Sequence, residues 1–162
     1  MGVLEKSEKV HQKHRVEIVA SWFNEKLDNG IIPDSEVRAK LTELVWPNDR
    51  NKGHQTLLHL LARIRKKGVG RVIDIAINEF GLRVNAGDNL HNTPAHVALA
   101  AENEEAFVAL RINKANLKIK NRMDETPEEL AGNNQKSAMV ELARTEPALE
   151  LVQLVRPKPA KV

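Results

Sequence analysis

Residues 84–98 read Val84-Asn-Ala-Gly-Asp-Asn-Leu-His-Asn-Thr-Pro-Ala-His-Val-Ala98, and the fold turns on the fact that this stretch has two counterparts. Upstream lies Thr56-Leu-Leu-His-Leu-Leu-Ala62. Downstream lies Thr126-Pro-Glu-Glu-Leu-Ala131, preceded by Leu117-Lys-Ile-Lys-Asn121 where the quoted stretch has Val84-Asn-Ala-Gly-Asp88. The three threonines stand 37 and 33 residues apart. A threonine ahead of an apolar-periodic run caps a helix, and proline is tolerated at the first helical position because that N–H has no intrahelical partner anyway. The histidine three residues on, His59 or His96, is placed to tie its ring to neighbouring loop backbone. The small residues Ala95, Ala98 and Ala131 allow two short helices to approach closely. A second helix is then expected over about 71–80, 104–112 and 135–143.

A unit of this size cannot bury its apolar face alone, so neighbouring units must stack. In their period of about 33 residues and their Thr-Pro-Leu-His-x-Ala pattern, residues 50–145 resemble the ankyrin-repeat family. The resemblance implies an all-α solenoid, with a helix–turn–helix and a β-hairpin finger in each repeat. It further implies a concave groove, lined by finger tips and inner helices, that binds another protein. Register by register it places Lys52, Gln55 and Arg63 of the first repeat on that groove. From the second repeat it places Asn89, Leu90, Asn92 and Ala100, and from the third Arg122, Met123, Glu125, Asn133 and Asn134. Leu90 and Met123 would put apolar side chains at successive tips, a liability unless something covers them.

Departures from the family pattern carry their own expectations. Where glycine is usual two residues before the threonine, this chain has His54, His91 and Asp124, which must adopt a positive φ at the tip. The first repeat is four residues longer than the second spacing requires, and Lys66-Lys67-Gly68-Val69-Gly70 reads as a flexible insertion between its helices. Glu128 and Glu129 replace Leu-His in the third repeat, which suits the polar outer face of a C-terminal cap.

Outside the repeats, Val16, Val19, Phe23 and Leu27 recur at helical spacing, with Ile18 and Trp22 widening the stripe. Asn29-Gly30 stops that helix. Pro33-Asp34-Ser35 starts another, with Val37, Leu41, Leu44 and Val45 on one face, and Trp46-Pro47 ends it. The expected organisation is a helical N-terminal cap over 1–46, three ankyrin repeats over 47–147, and a C-terminal extension with a mobile tail over 148–162. Leu149, Leu151, Val152, Leu154 and Val155 supply a last apolar stretch before that tail.

Composition narrows the function. The 162 residues include no cysteine, which excludes disulfides, thiolate metal sites and a cysteine nucleophile. The first 15 residues offer no signal-peptide core, and no apolar run reaches membrane-spanning length. Lys6 stands where myristoylation would want Ser or Thr. The expectation is a monomeric cytoplasmic protein. It would act in a host cell's cytosol if the chain is instead a secreted effector of an intracellular bacterium, with which so short an array is compatible. The formal charge is +3, and its excess sits in residues 56–82, five basic against two acidic, and in the last residues, three against one. That is not the chain-wide basic stripe of a non-specific nucleic-acid binder, and neither nucleic acid nor membrane is expected as a partner.

No catalytic motif appears: no nucleophile elbow, no paired-histidine zinc helix, no Walker-type glycine loop. Gly68-Val-Gly70 is a lone GxG without a preceding strand. Glu104-Glu105 and Glu128-Glu129 diverge on their helices and read as solvated surface. His11 and His14 could share one helical face, but nothing completes a metal set, and no metal or cofactor is expected. His54 and His91, at the tips, suit either partner contact or simple solvation. The basic run over residues 63–67 reads as a solvated helix end, where cations suit the helix dipole, or as a surface for an acidic partner, a phospholipid, RNA or an import receptor. Against the binding reading stands an enzymatic one, with an unrecognised site between the Trp22-bearing cap and the repeats.

Overall fold

A computed structural model describes residues 2–44 and 48–158, with side chains from Arg15 onward. The His11–His14 pair, Val45, the Trp46-Pro47 stop and residues 159–162 of the expected tail lie outside what is described. The described chain is all-helical, with no strand among the described residues. The helices are α1 (Gly2–Asp28), α2 (Asp34–Leu41), α3 (Leu57–Leu61), α4 (Val69–Phe80), α5 (Pro94–Ala100), α6 (Glu104–Ile112), α7 (Pro127–Asn133), α8 (Ser137–Arg144) and α9 (Leu149–Val155). None is long and apolar enough to cross a membrane.

Helices of five to twelve residues from α3 onward are too short to persist alone in water, so packing must hold them. They pack in two layers. In one, α1 lies on α3, α3 on α5 and α5 on α7; in the other, α2 lies on α4 and α4 on α6. The core runs between the layers and is aliphatic, with Phe23 and Phe107 its fully buried rings. Ala95, Ala98, Ala106 and Ala109 are buried where α5 and α6 meet, which is what close approach of two short helices requires.

The cap stripe is narrower than expected. Val16, Val19, Phe23 and Leu27 are buried, but Ile18 is 58% exposed, and Ala20 is buried in its stead. A helix turns about 100° per residue, so Ile18 lies off the arc through 16, 19, 23 and 27. Trp22 is half-buried, edge-on to Phe23 at 5.1 Å, with the Lys26 and Lys40 ammonium groups 5.4 and 5.2 Å from its ring. The tryptophan therefore belongs to a packed, cation-lined surface.

The insertion in the first unit differs too. α4 starts at Val69, not near Arg71, and Val69 and Gly70 are buried. Glu105 Oε1 accepts the Gly68 and Gly70 N–H groups at 2.8 and 2.9 Å, so a carboxylate from α6 occupies the positive end of α4. Burial raises the Glu105 carboxyl above its usual range, against those two N–H donors. Glu105 is thus half-buried and bonded, not solvated surface, and the GxG stretch receives the chain's own anion. Upstream, Asn103 Nδ2 donates to the Ala62 and Ile64 carbonyls while its Oδ1 caps α6 through the Ala106 N–H. Lys66 reaches back to the Asn24 carbonyl and Asp28.

α9 folds over the outer layer, against α4 and α6. Val155 is fully buried, and Arg156, first residue of the expected tail, donates from Nε to Asp74 Oδ1 at 2.9 Å.

Candidate functional site: the groove along the turn tips

Three turns, one before each inner helix, are built alike. The N–H of Asn51, Asp88 or Asn121 donates to the carbonyl four residues on, at 3.0, 3.0 and 2.9 Å. The side-chain Oδ1 of the same residue accepts two N–H groups inside the turn: Gly53 and Gln55, Leu90 and Asn92, Met123 and Glu125. Such a tip needs one left-handed residue, and His54, His91 and Asp124 supply it at φ 56, 59 and 62°. Non-glycine residues there carry a strain of about 1–2 kcal/mol. These tips are turns, not paired strands. Adjacent tips join through Asn89 N–H to Gly53 O at 3.1 Å and Arg122 N–H to Leu90 O at 2.9 Å.

Behind each tip a threonine starts the helix. Thr56, Thr93 and Thr126 are the N-caps of α3, α5 and α7, each in a reciprocal capping box with the residue three on. In the first two units that residue is histidine. His59 Nδ1 lies 3.1 Å from the Thr56 amide nitrogen, and His96 Nδ1 lies 3.0 Å from that of Thr93. An N–H can only donate, so Nδ1 is unprotonated, and Nε2 carries the proton it gives to the Asn92 and Glu125 carbonyls at 2.8 and 3.0 Å. Each ring thus stitches its own helix start to the next tip. Burial lowers both histidines below their usual range, in keeping with that neutral tautomer. In the third unit Glu129 takes over, its Oε2 accepting the Thr126 N–H at 2.8 Å.

The tips and inner helices enclose a groove of about 580 Å³. Val97, Ala100, Ala101 and Leu130 form an apolar floor, with Leu90, Asn89 and Asp88 on the tip side and Arg63 at one end. Of the residues expected on this surface, the groove brings together Gln55, Arg63, Asn89, Leu90, Asn92 and Ala100. Glu125 and Asn133 line a second, acidic hollow of about 410 Å³ with Asp124, Glu128 and Glu129. Lys52, Arg122, Met123 and Asn134 are exposed but line neither. Leu90 is 59% exposed and Met123 76%.

Some of these positions also serve the scaffold. Asn92 accepts from His59 Nε2 at its carbonyl and from Asn121 Nδ2 at its Oδ1, the latter at 3.1 Å, and Glu125 accepts from Asn121 and Asn133. Val97 and Leu130 were not among the expected residues. Their signal lay in the register: each stands four residues after its threonine, as Leu60 does in the first unit. Among the described residues no group of three or more His, Asp or Glu side chains could hold a metal ion. Compared with known proteins, the chain matches no protein-family model and no characterised protein in sequence.

Proposed function

We propose that this chain is an ankyrin-repeat protein, a three-unit solenoid with a helical cap, and that it recognises a partner protein through the groove at its turn tips. Its role on this reading is that of an adaptor, inhibitor or scaffold, without chemistry of its own. The tip and capping box repeated in three separate stretches of sequence, with the histidine stitch shared by the first two, support the repeat assignment.

One observation carries the binding reading. Leu90 and Met123 sit exposed on neighbouring tips, Leu90 against an apolar floor, whereas the other large exposed aliphatics, Ile18, Ile31 and Leu149, stand apart from this groove. Their N–H groups are held by Asp88 and Asn121, so the backbone presents them rigidly, and presentation without ordering cost favours recognition. Neither side chain helps to hold the fold. Affinity capture with wild type and Leu90→Asp/Met123→Asp side by side tests this. Loss of an apolar anchor at the centre of an interface costs about 2 kcal/mol or more, so recovery of the partner should fall roughly 30-fold or beyond. The melting curve should barely move. Undiminished capture by the variant would sink the groove assignment.

A further inference from the structure

The charges around the groove divide by whether they already have partners. Of the carboxylates on this side, Asp124 is paired with Lys120 at 3.0 Å, while Asp88 Oδ1 accepts N–H groups of its own turn and Glu125 accepts the Asn121 and Asn133 amides, which turns those oxygens to the scaffold without a counter-ion. Farther along, Glu128 pairs with Arg144 and Glu129 closes its capping box. The cations are different. Lys52 on the first tip, Arg63 at the end of the groove and Arg122 on the third tip are exposed, and among the described residues none makes a hydrogen bond or ion pair through its side chain. Elsewhere Lys26, Arg38, Lys66 and Arg71 are engaged by acids, while Arg65, Lys67, Arg83, Lys114 and Lys118 are exposed and, among the described residues, likewise unpaired but do not border this apolar groove. Arg63 lines the apolar strip and Lys52 and Arg122 stand on the tips beside it, three cations with free donors, and the Arg63 guanidinium is suited to bidentate capture of a carboxylate.

Resting on the reading of the groove as a recognition surface, we infer that its occupant is an acidic, apolar-anchored segment of another protein. An aliphatic or aromatic side chain of that segment lies on Val97, Ala100 and Leu130 beside Leu90, while flanking carboxylates meet Arg63, Lys52 and Arg122. A phosphate-bearing chain would satisfy the same cations but leave Leu90, Met123 and the floor uncovered, which favours the protein segment over nucleic acid. Ion pairs at such an exposed rim act chiefly on encounter rate and specificity, so affinity should weaken with salt while the apolar anchor keeps a salt-independent share.

Selection of a random dodecapeptide display library on the full chain tests the inference, with a dodecameric oligothymidylate measured by fluorescence anisotropy as comparator. Wild type should enrich peptides rich in Asp and Glu around a central Leu, Ile, Phe or Trp. The Lys52→Glu/Arg63→Glu/Arg122→Glu variant should shift the enrichment to Lys and Arg, with the same apolar centre. Leu90→Asp/Met123→Asp should enrich nothing. For one selected acidic peptide, raising salt from about 50 to 500 mM should weaken binding roughly tenfold or more, as expected when several exposed ion pairs are screened. Basic or uncharged peptides from wild type would overturn the charge inference and leave the groove standing. Acidic peptides retained by Leu90→Asp/Met123→Asp would overturn the groove reading itself. No enrichment at all, or oligothymidylate binding more tightly than every selected peptide and lost on charge reversal, would overturn the choice of a protein segment.

Discussion

His59 and His96 each do what a backbone strand would do elsewhere: they accept from one unit and donate to the next. That duty requires the neutral ring. Protonation would place an N–H at Nδ1 against the threonine N–H and bury a charge besides. Both rings are held below the ordinary value of 6.5 by burial, so their contribution to stability is full above that value. It is lost as pH falls through the lower folded-state value. Glu105 runs the other way: burial raises it above 4.5, so its contribution grows as pH drops and belongs to more acidic conditions. The melting midpoint should therefore fall on going from about pH 7.5 to pH 6, across the range where histidine titrates. His59→Gln/His96→Gln should start lower and show a flat profile over the same range. An unchanged slope in that variant would assign the pH dependence elsewhere.

Among elements, the start of α4 shows how tightly the units are fitted. A Cβ on Gly70 would lie 2.7 Å from Val155 Cγ2, 2.9 Å from Glu105 Cγ and 3.0 Å from the Glu105 carbonyl oxygen. Alanine favours a helix interior by about 1 kcal/mol over glycine, but overpacking against backbone costs about 1–3 kcal/mol. Near a helix start the propensity gain is smaller still, so Gly70→Ala should destabilise by about 1–2 kcal/mol in urea unfolding. Val155→Ala should restore part of that loss by relieving the shortest contact; additive losses would place the strain elsewhere. Nothing local in Lys66-Lys67-Gly68-Val69-Gly70 announces this, because the reason for Gly70 lies in α6 and α9. The threonine-led helices, by contrast, were legible, since the cap and the apolar period, with a proline in the second and third, sit within a few residues. So was the exposure of Leu90 and Met123 at the tips, once the register was set. The role of Asn103, a cap that also spans to the previous unit, was hidden for the same reason as Gly70: its partners are carbonyls, which carry no sequence signature.

Over the whole molecule, α9 breaks the rule that stacked units touch only sequence neighbours. It leaves the third unit, crosses the outer layer and packs on α4 and α6 of the first two. There Asp74, its side chain 5% exposed, gathers Arg71 at 3.2 Å, Arg156 at 2.8 Å and the amides of Asn78 and Asn113. Arg71 in turn holds Asp34 of α2, whose carboxyl it keeps below the usual range by hydrogen bonding. A near-buried acid with this many donors is satisfied, and taking donors away leaves it a liability. Removing residues 148–162 would uncover Gly70 and the faces of α4 and α6 on which α9 packs, and would deprive Asp74 of Arg156. The damage should therefore appear far from the cut. The melting midpoint should drop by about 5 °C or more, and amide hydrogen exchange should speed up first in α4 and α6. Protection of α7, which packs on α5 and α8, should hold at first. Peptides bound at the tips should still bind, because Leu90, Met123 and the groove floor make no use of α9. If exchange instead quickened first in α7 and α8, the C-terminal helix would be an end cap for the third unit in solution, and the strap across the outer layer would have no energetic weight.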